Sequence, residues 1–325
     1  MAKLRTPSAL SEARRARPCG RREQRGANAF ADCLRVGSQK LGQPAKVIGR
    51  SRPRASEAMD GRESTLFGKT IVVTGISSGI GSRIGELATA LGADVIGVDV
   101  KTPTRPLDAF VQADIGSPQG VAEILYALPQ RFDALCNVAG ISGVAGAART
   151  LAINFYGLRS LTVALAPRLR EGGAIVNVAS IAGYGWRANL ERAKALISEQ
   201  GFPDIPALLK AHHVPEGEGY PLSKELLILW TMQAAHQPLF KERGIRVNTV
   251  SPGPVATPII QEFRQLFGDA RVDDDIARVG RAGTPPDVAP AVLFLCSDGA
   301  RWINGVNLPA DGGLEASINA SVLGF

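Results

Sequence analysis

From Lys69 to Leu308, short apolar runs alternate with longer stretches in which apolar positions recur at helical spacing. The runs at 70–74, 94–99, 110–114, 134–137, 174–179, 246–250 and 306–308 predict strands. They are apolar on both faces, the pattern of strands covered on both sides. The stretches at about 80–91, 118–128, 149–168, 220–240 and 286–295 predict helices. A parallel neighbour needs a crossover of a dozen residues or more, so strands each followed by a helix predict a parallel sheet. The predicted fold class is α/β: one domain, a doubly wound parallel sheet of about seven strands with helices on both faces.

Charge divides the chain. Residues 1–58 hold 14 Lys/Arg against 4 Asp/Glu, leaving 23 against 26 in residues 59–325, so the formal charge of +7 belongs to the N-terminal segment. A basic arm on a mildly acidic body does not read as a nucleic-acid binder, which wants its basic residues on the folded surface. Residues 1–58 are rich in Arg, Pro, Gly and Ser without apolar periodicity, and disorder is expected. Three readings fit them: an arginine-rich transit segment, an arm for anionic surfaces, or translated sequence ahead of a start at Met59. The last is preferred, because Met59 leads directly into the first strand and leaves 59–325 as a self-sufficient domain.

No apolar run approaches the roughly 20 residues needed to span a bilayer, so no membrane association is expected. The four cysteines show no CxxC spacing and the three histidines no HExxH, so no metal site is expected. Free thiols inside apolar runs suggest a reducing, cytoplasmic setting.

The first predicted strand runs into Thr74-Gly75-Ile76-Ser77-Ser78-Gly79-Ile80-Gly81 and then a helix. Glycines at 75, 79 and 81 allow a tight turn and close approach of backbone N–H groups to a pyrophosphate at the helix N-terminus. The next strand ends in Asp99, 24 residues after Gly75, placed to accept hydrogen bonds from the adenosine ribose. An acid there repels a 2′-phosphate, and Ser77 and Ser78 offer no compensating cation. NAD is therefore expected, with Lys101 the one tempering residue.

Tyr220 and Lys224 stand at i and i+4 in a predicted helix, one turn apart on one face. Bringing a phenol from pKa near 10 to near 7 needs about 4 kcal/mol. One ammonium at roughly 4 Å, in an effective dielectric of about 20, supplies a term of that order. The positive nicotinamide of an oxidised cofactor adds to it, and the sequence predicts a tyrosinate base for which Lys224 alone nearly accounts.

The spacing TGxxxGxG, followed in order by YxxxK, resembles the short-chain dehydrogenase/reductase family, a Rossmann-fold family, across about 67–314. Carried over position by position, the resemblance implies a catalytic set of Asn154, Ser180, Tyr220 and Lys224. Tyr220 would take the alcohol proton while hydride leaves for the nicotinamide, Ser180 would bind the substrate oxygen, and Asn154 would anchor a water linked to the lysine. It implies cofactor contacts at Gly75, Ser77, Ser78, Gly79, Ile80, Gly81 and Asp99. Further contacts are implied at Asp114 and Ile115 beside the adenine, and at Asn137, Ala139 and Gly140, where Val138 replaces a usual Asn. Tyr220, Lys224, Pro252, Gly253, Val255 and Thr257 complete the cofactor set around the nicotinamide and phosphates.

Ser180 and Tyr220 lie 40 positions apart, against about a dozen in most members, so residues 184–219 form an insert. It carries amphipathic helical patterns at 189–200 and 204–212, read as an interface element or a partial lid. The long segment before the tyrosine is similar to members that oxidise coniferyl alcohol to coniferaldehyde, an aromatic allylic alcohol. A 3α-hydroxysteroid dehydrogenase or carbonyl reductase is the alternative. An apolar slot is expected from Ile259, Ile260, Phe263, Leu266 and Phe267, with Ile141 opposite, although these residues equally suit the core face of a short helix. The helix carrying Tyr220 and Lys224 is apolar nearly all round, which predicts burial against a copy of itself, and so a homodimer or homotetramer.

Overall fold

The computed structural model describes residues 66–325; the basic segment 1–58 lies outside the described residues. Seven strands form one parallel sheet in the order β3-β2-β1-β4-β5-β6-β7: β1 Thr70–Thr74, β2 Asp94–Asp99, β3 Ala109–Gln112, β4 Phe132–Asn137, β5 Leu169–Val178, β6 Arg246–Pro252 and β7 Asn307–Ala310. The order reverses between β1 and β4, leaving a crevice at their C-terminal ends where ligands of such sheets bind.

Among the described residues, twelve α-helices accompany it: α1 Gly79–Ala90, α2 Pro118–Ala127, α3 Ala147–Leu151, α4 Leu158–Leu165, α5 Leu190–Ser198, α6 Ile205–Ala211, α7 Gly219–Ala234, α8 Pro238–Lys241, α9 Ile260–Phe267, α10 Asp269–Val279, α11 Pro285–Cys296 and α12 Leu314–Leu323. The predicted helix 149–168 is interrupted by a π-helical turn, Ala152–Gly157. The predicted helix 220–240 ends at Ala234, because Pro238 starts the separate turn α8.

Alternation along the strands divides the core. Ile71 and Val73 face one layer with Ala134, Cys136, Ala174 and Val176, packed under α1 and α11. Val72, Leu135, Ile175 and Val247 face the opposite layer, under α3, α4 and α7. Both faces are dry, which is why the strands read as continuous apolar runs. Cys136 and Cys296 are free thiols in the first layer, with sulfurs 3.5 Å apart.

The insert packs against α7. Ala193, Leu196 and Ile197 of α5, and Ile205 and Leu209 of α6, join the same core layer as Leu226, Leu227 and Trp230. Tyr156 donates to the Leu196 carbonyl at 3.1 Å and Arg159 to the Ile197 carbonyl at 2.8 Å, fastening the insert. The apolar circumference of α7 is thus covered by its own chain, and it gives no reason for a second copy there. Among the described residues, no helix is long and apolar enough to cross a membrane.

Candidate active site

The glycine turn follows β1 as predicted, and its geometry demands glycine. Gly75 has φ +71°, and a Cβ there would lie 2.7 Å from the Ala139 nitrogen; one on Gly81 would lie 2.0 Å from the Gly75 carbonyl oxygen. Backbone therefore touches backbone where a pyrophosphate would approach. A Cβ on Gly79 would meet the Thr257 methyl at 3.3 Å, so the segment after β6 arches over the N-terminus of α1. Ser77, Ser78 and Ile80 complete this rim.

Asp99, at the end of β2, accepts from the Ser77 N–H and the Lys101 N–H, both at 2.9 Å. A carboxylate has about four acceptor sites, so two remain for ribose hydroxyls. Ser77 also donates to the Lys101 carbonyl, which holds the turn and the strand end together. Asp114 accepts from the Gly116 N–H at 2.9 Å and pairs with Arg149 at 2.6 Å. Ile115 is buried, and its carbonyl oxygen would lie 2.0 Å from a Cβ on Gly157.

Thr74 was not among the residues singled out from the sequence, yet it joins the two nucleotide turns. Fully buried, its hydroxyl accepts from the N–H groups of Val138 at 3.0 Å and Ala139 at 3.1 Å. Asn137 turns the other way. Its amide is fully buried and donates to Thr162 at 2.9 Å and Asn177 at 2.8 Å. Its side chain therefore cannot touch a cofactor, which corrects the direct contact expected of it: the odd-even alternation of β4 aims it into the layer beneath α4 and α7.

The four predicted catalytic residues converge. Asn154 sits in the π-helical turn, a feature frequent at functional sites. Its amide clamps Ile141, accepting from the N–H and donating to the carbonyl, both at 2.9 Å. It also donates to Ser223 at 3.2 Å, whose hydroxyl donates to the Tyr220 carbonyl at 2.7 Å. A Cβ on Gly140 would lie 3.3 Å from Asn154 Oδ1 and 3.6 Å from Lys224 Nζ, so this turn borders the catalytic lysine. Lys224 donates to the Val178 carbonyl at 3.0 Å, and its ammonium lies 5.5 Å from the centre of the Tyr220 ring. Ser180 caps the 3-10 turn Ile181–Arg187 by accepting from the Ala182 N–H at 3.1 Å.

The electrostatics correct the simple activation expected from one ammonium. Burial pushes the Tyr220 phenol up to about 12, opposed by a hydrogen bond with Ser180 that lowers it. Burial brings the Lys224 ammonium down to about 8. Desolvation penalises both charged forms, so removing the pair from water outweighs their mutual attraction. The chain alone favours a neutral phenol.

Ser180 and Tyr220 open onto a cavity of about 400 Å³. Ile260, Phe263 and Phe267 line it at the i, i+3, i+7 spacing of one face of α9, as the sequence suggested. Ile259, the residue on which α9 begins, does not line the cavity. Leu266 packs toward Gly143 instead, where a Cβ would meet it at 2.9 Å. Ile141 is likewise absent from the lining, its backbone held by Asn154. The opposite wall was missed: it consists of Tyr184 and Gly185 of the insert and Leu314 and Ile318 of α12, with Arg271 and Asp275 of α10 adding charge. Gly253 and Pro254 border the cavity, joining it to the segment that arches over Gly79.

A doubly wound sheet with a glycine-lined nucleotide turn, and a Ser, Tyr and Lys converging on an apolar cavity, defines a nicotinamide-dependent oxidoreductase of small molecules. Residues 69–190 match the short chain dehydrogenase family, and residues 207–315 match the family described as Enoyl-(Acyl carrier protein) reductase. The chain belongs to the short-chain dehydrogenase/reductase family and is a short-chain alcohol dehydrogenase. It is 42% identical over 252 residues to the coniferyl-alcohol dehydrogenase of Pseudomonas sp. strain HR199, covering 78% of this chain and 98% of that one. It is 30% identical over 265 residues to the 3-alpha-hydroxysteroid dehydrogenase/carbonyl reductase of Comamonas testosteroni, covering 76% and 96%. Among solved structures, the 3-alpha-hydroxysteroid dehydrogenase from Pseudomonas sp. B-0831 complexed with NADH superposes with a TM-score of 0.68 at 29% identity, covering 77% of this chain and 98% of that one.

Proposed function

We propose that the chain oxidises an aromatic allylic alcohol, coniferyl alcohol to coniferaldehyde, with NAD as hydride acceptor. The observation that carries this reading is the cavity: aromatic and aliphatic walls of Phe263, Phe267, Ile260, Leu314 and Ile318 lead to Ser180 and Tyr220. A flat aromatic ring suits that slot, and Arg271 and Asp275 offer polar partners for a phenolic hydroxyl. The 42% identity to the coniferyl-alcohol dehydrogenase supports the same substrate class.

The residues present fit a dinucleotide. Gly75, Gly79 and Gly81 would cradle the pyrophosphate, Asp99 would hold the adenosine ribose, and Thr257 would close over the phosphates. Asp114, Ile115, Ala139, Gly140, Pro252, Gly253 and Val255 would border its remaining length, with Asn137 supporting the turn from beneath. When bound, the nicotinamide supplies the two-electron acceptor and a positive charge beside the phenol. Tyr220, as phenolate, takes the proton of the alcohol. The Ser180 hydroxyl donates to the substrate oxygen, and Lys224 holds positive charge behind the ring of Tyr220. Asn154 keeps the turn at Gly140 and Ile141 in register with the lysine. NAD is favoured over NADP because Asp99 presents its charge where a 2′-phosphate would lie.

The test is steady-state turnover of residues 59–325 with a panel of alcohols and both cofactors. Coniferyl alcohol with NAD is expected to rank first, and Tyr220→Phe to abolish turnover while cofactor still binds. The 3-alpha-hydroxysteroid dehydrogenase complexed with NADH gives the second reading its support. A panel ranking steroids above phenylpropanoids would replace the first reading with the second.

A further inference from the structure

Glu225 follows the catalytic lysine on α7 and is only 3% exposed, yet the proton transfer described above does not use it. Both its oxygens accept from Asn189 Nδ2, at 2.8 and 3.1 Å. Asn189 is the residue on which the insert helix α5 begins. Glu225 also borders Gly185, where an added Cβ would lie 3.1 Å from Glu225 Oε1. Burial raises the Glu225 carboxyl above its ordinary range, opposed by the Asn189 hydrogen bond and by Arg192, which is paired with Glu218 at 3.1 Å.

Gly185 and its neighbour Tyr184 line the substrate cavity, whereas Glu225 does not. The Tyr184 hydroxyl donates to Asn319 Oδ1 at 2.6 Å, reaching α12. That helix supplies Leu314 and Ile318 to the same wall. The backbone of 184–189 is therefore tied to α7 at one end by Glu225–Asn189 and to α12, the helix that closes the cavity, at the other by Tyr184–Asn319.

We propose that Glu225 is a positioning residue for the substrate: through Asn189, Gly185 and Tyr184 it hangs the outer wall of the cavity, including α12, on the helix that carries Tyr220 and Lys224. A buried carboxylate is a costly way to fasten a surface insert unless its position matters, and here it fixes the wall at a set distance from the reacting phenol. The inference rests on the reading that this cavity holds the alcohol.

Three variants of the full chain test it: Glu225→Ala, Glu225→Gln and Asn319→Ala. Glu225→Ala is expected to raise KM for coniferyl alcohol about ten-fold while kcat stays within about two-fold, the signature of lost uniform binding. NAD affinity is expected to hold. Glu225→Gln keeps a carbonyl oxygen for Asn189 and should restore KM to within about three-fold of the parent, a rescue that bulk destabilisation would not give. Asn319→Ala should raise KM in the same direction and add little when combined with Glu225→Ala, because coupled sites are not additive. Hydrogen exchange supplies a readout free of any substrate: amides at 184–189 and 314–319 should exchange faster together in Glu225→Ala. Failure of the parent to oxidise aromatic alcohols would remove the substrate reading and leave this exchange test standing. An unchanged KM with unchanged exchange at 314–319, strict additivity, or a Glu225→Gln variant as impaired as the alanine would overturn the proposal.

Discussion

The rings of Tyr220 and Phe263 lie 4.8 Å apart between centroids, tilted by 52°, with Phe267 at 6.2 Å from the same tyrosine. The phenol is thus roofed by two aromatic side chains of α9, a helix fastened to the segment after β4 by the Ser142–Glu262 hydrogen bond. This roof contributes to the burial that raises the phenol to about 12.

Phe263→Ala is therefore expected to do two things. Loss of an aromatic wall should raise KM for an aromatic alcohol about ten-fold, in line with ~0.5–1.5 kcal/mol for ring contact plus lost area. Water admitted to the phenol should favour its charged form, so the rising limb of the kcat–pH profile should move to lower pH. A limb that stays in place or moves upward would show that the roof does not control the phenol.

Lys224→Met should separate stability from turnover. The ammonium titrates at about 8 in the fold against 10.5 ordinarily, so the unfolded chain holds more protons between those values. The penalty for burying the charge is complete below about pH 8 and fades as pH rises toward 10.5. Removing the charge, less the lost bond to Val178, is expected to stabilise the fold at pH 7 by roughly 2 kcal/mol. Thermal melts at pH 7 and pH 10 check this: the gain should appear at the lower pH and shrink at the higher. Activity should be lost at both.

Gly81→Ala places a methyl group on the Gly75 carbonyl, where only backbone fits. Either the helix or the turn must shift. Cofactor affinity should fall by two orders of magnitude or more, with a stability loss of about 1–3 kcal/mol typical of overpacking. Titration of cofactor fluorescence alongside denaturant unfolding measures both.

Asp99→Asn removes the charge and keeps an acceptor oxygen for one of the two N–H groups, Ser77 or Lys101, that the separate carboxylate oxygens now accept from. The kcat/KM ratio of NADP to NAD should rise by about ten-fold, since ~1–2 kcal/mol of repulsion at the 2′ position is relieved. An unchanged ratio would show that Asp99 does not face the ribose.

Much of the fold was legible, because strands buried on both faces and helices with one apolar stripe obey different periods. The glycine turn, Asp99 and the Tyr220–Lys224 pair were legible for a similar reason: each chemistry needs particular residues at fixed local spacing. What escaped was non-local. Asn137 stands at a strand end, and sequence alone does not say which side of the sheet its amide enters. Thr74 reads as an ordinary strand terminus until the turn from Val138 to Ala139 is brought against it. Tyr184, Leu314 and Ile318 belong to segments far apart in the chain, so their common wall follows only from packing. The upward push of burial on the phenol was not legible, because charge separation can be estimated from spacing, whereas desolvation depends on every neighbour that excludes water.

The amphipathic helices α5 and α6 give α7 an apolar blanket made from the same polypeptide. The burial of that helix is consequently an intramolecular property, complete within one copy of the chain. Specific activity measured over a wide dilution series has no reason to decline through exposure of this helix, because nothing that shelters it can dissociate.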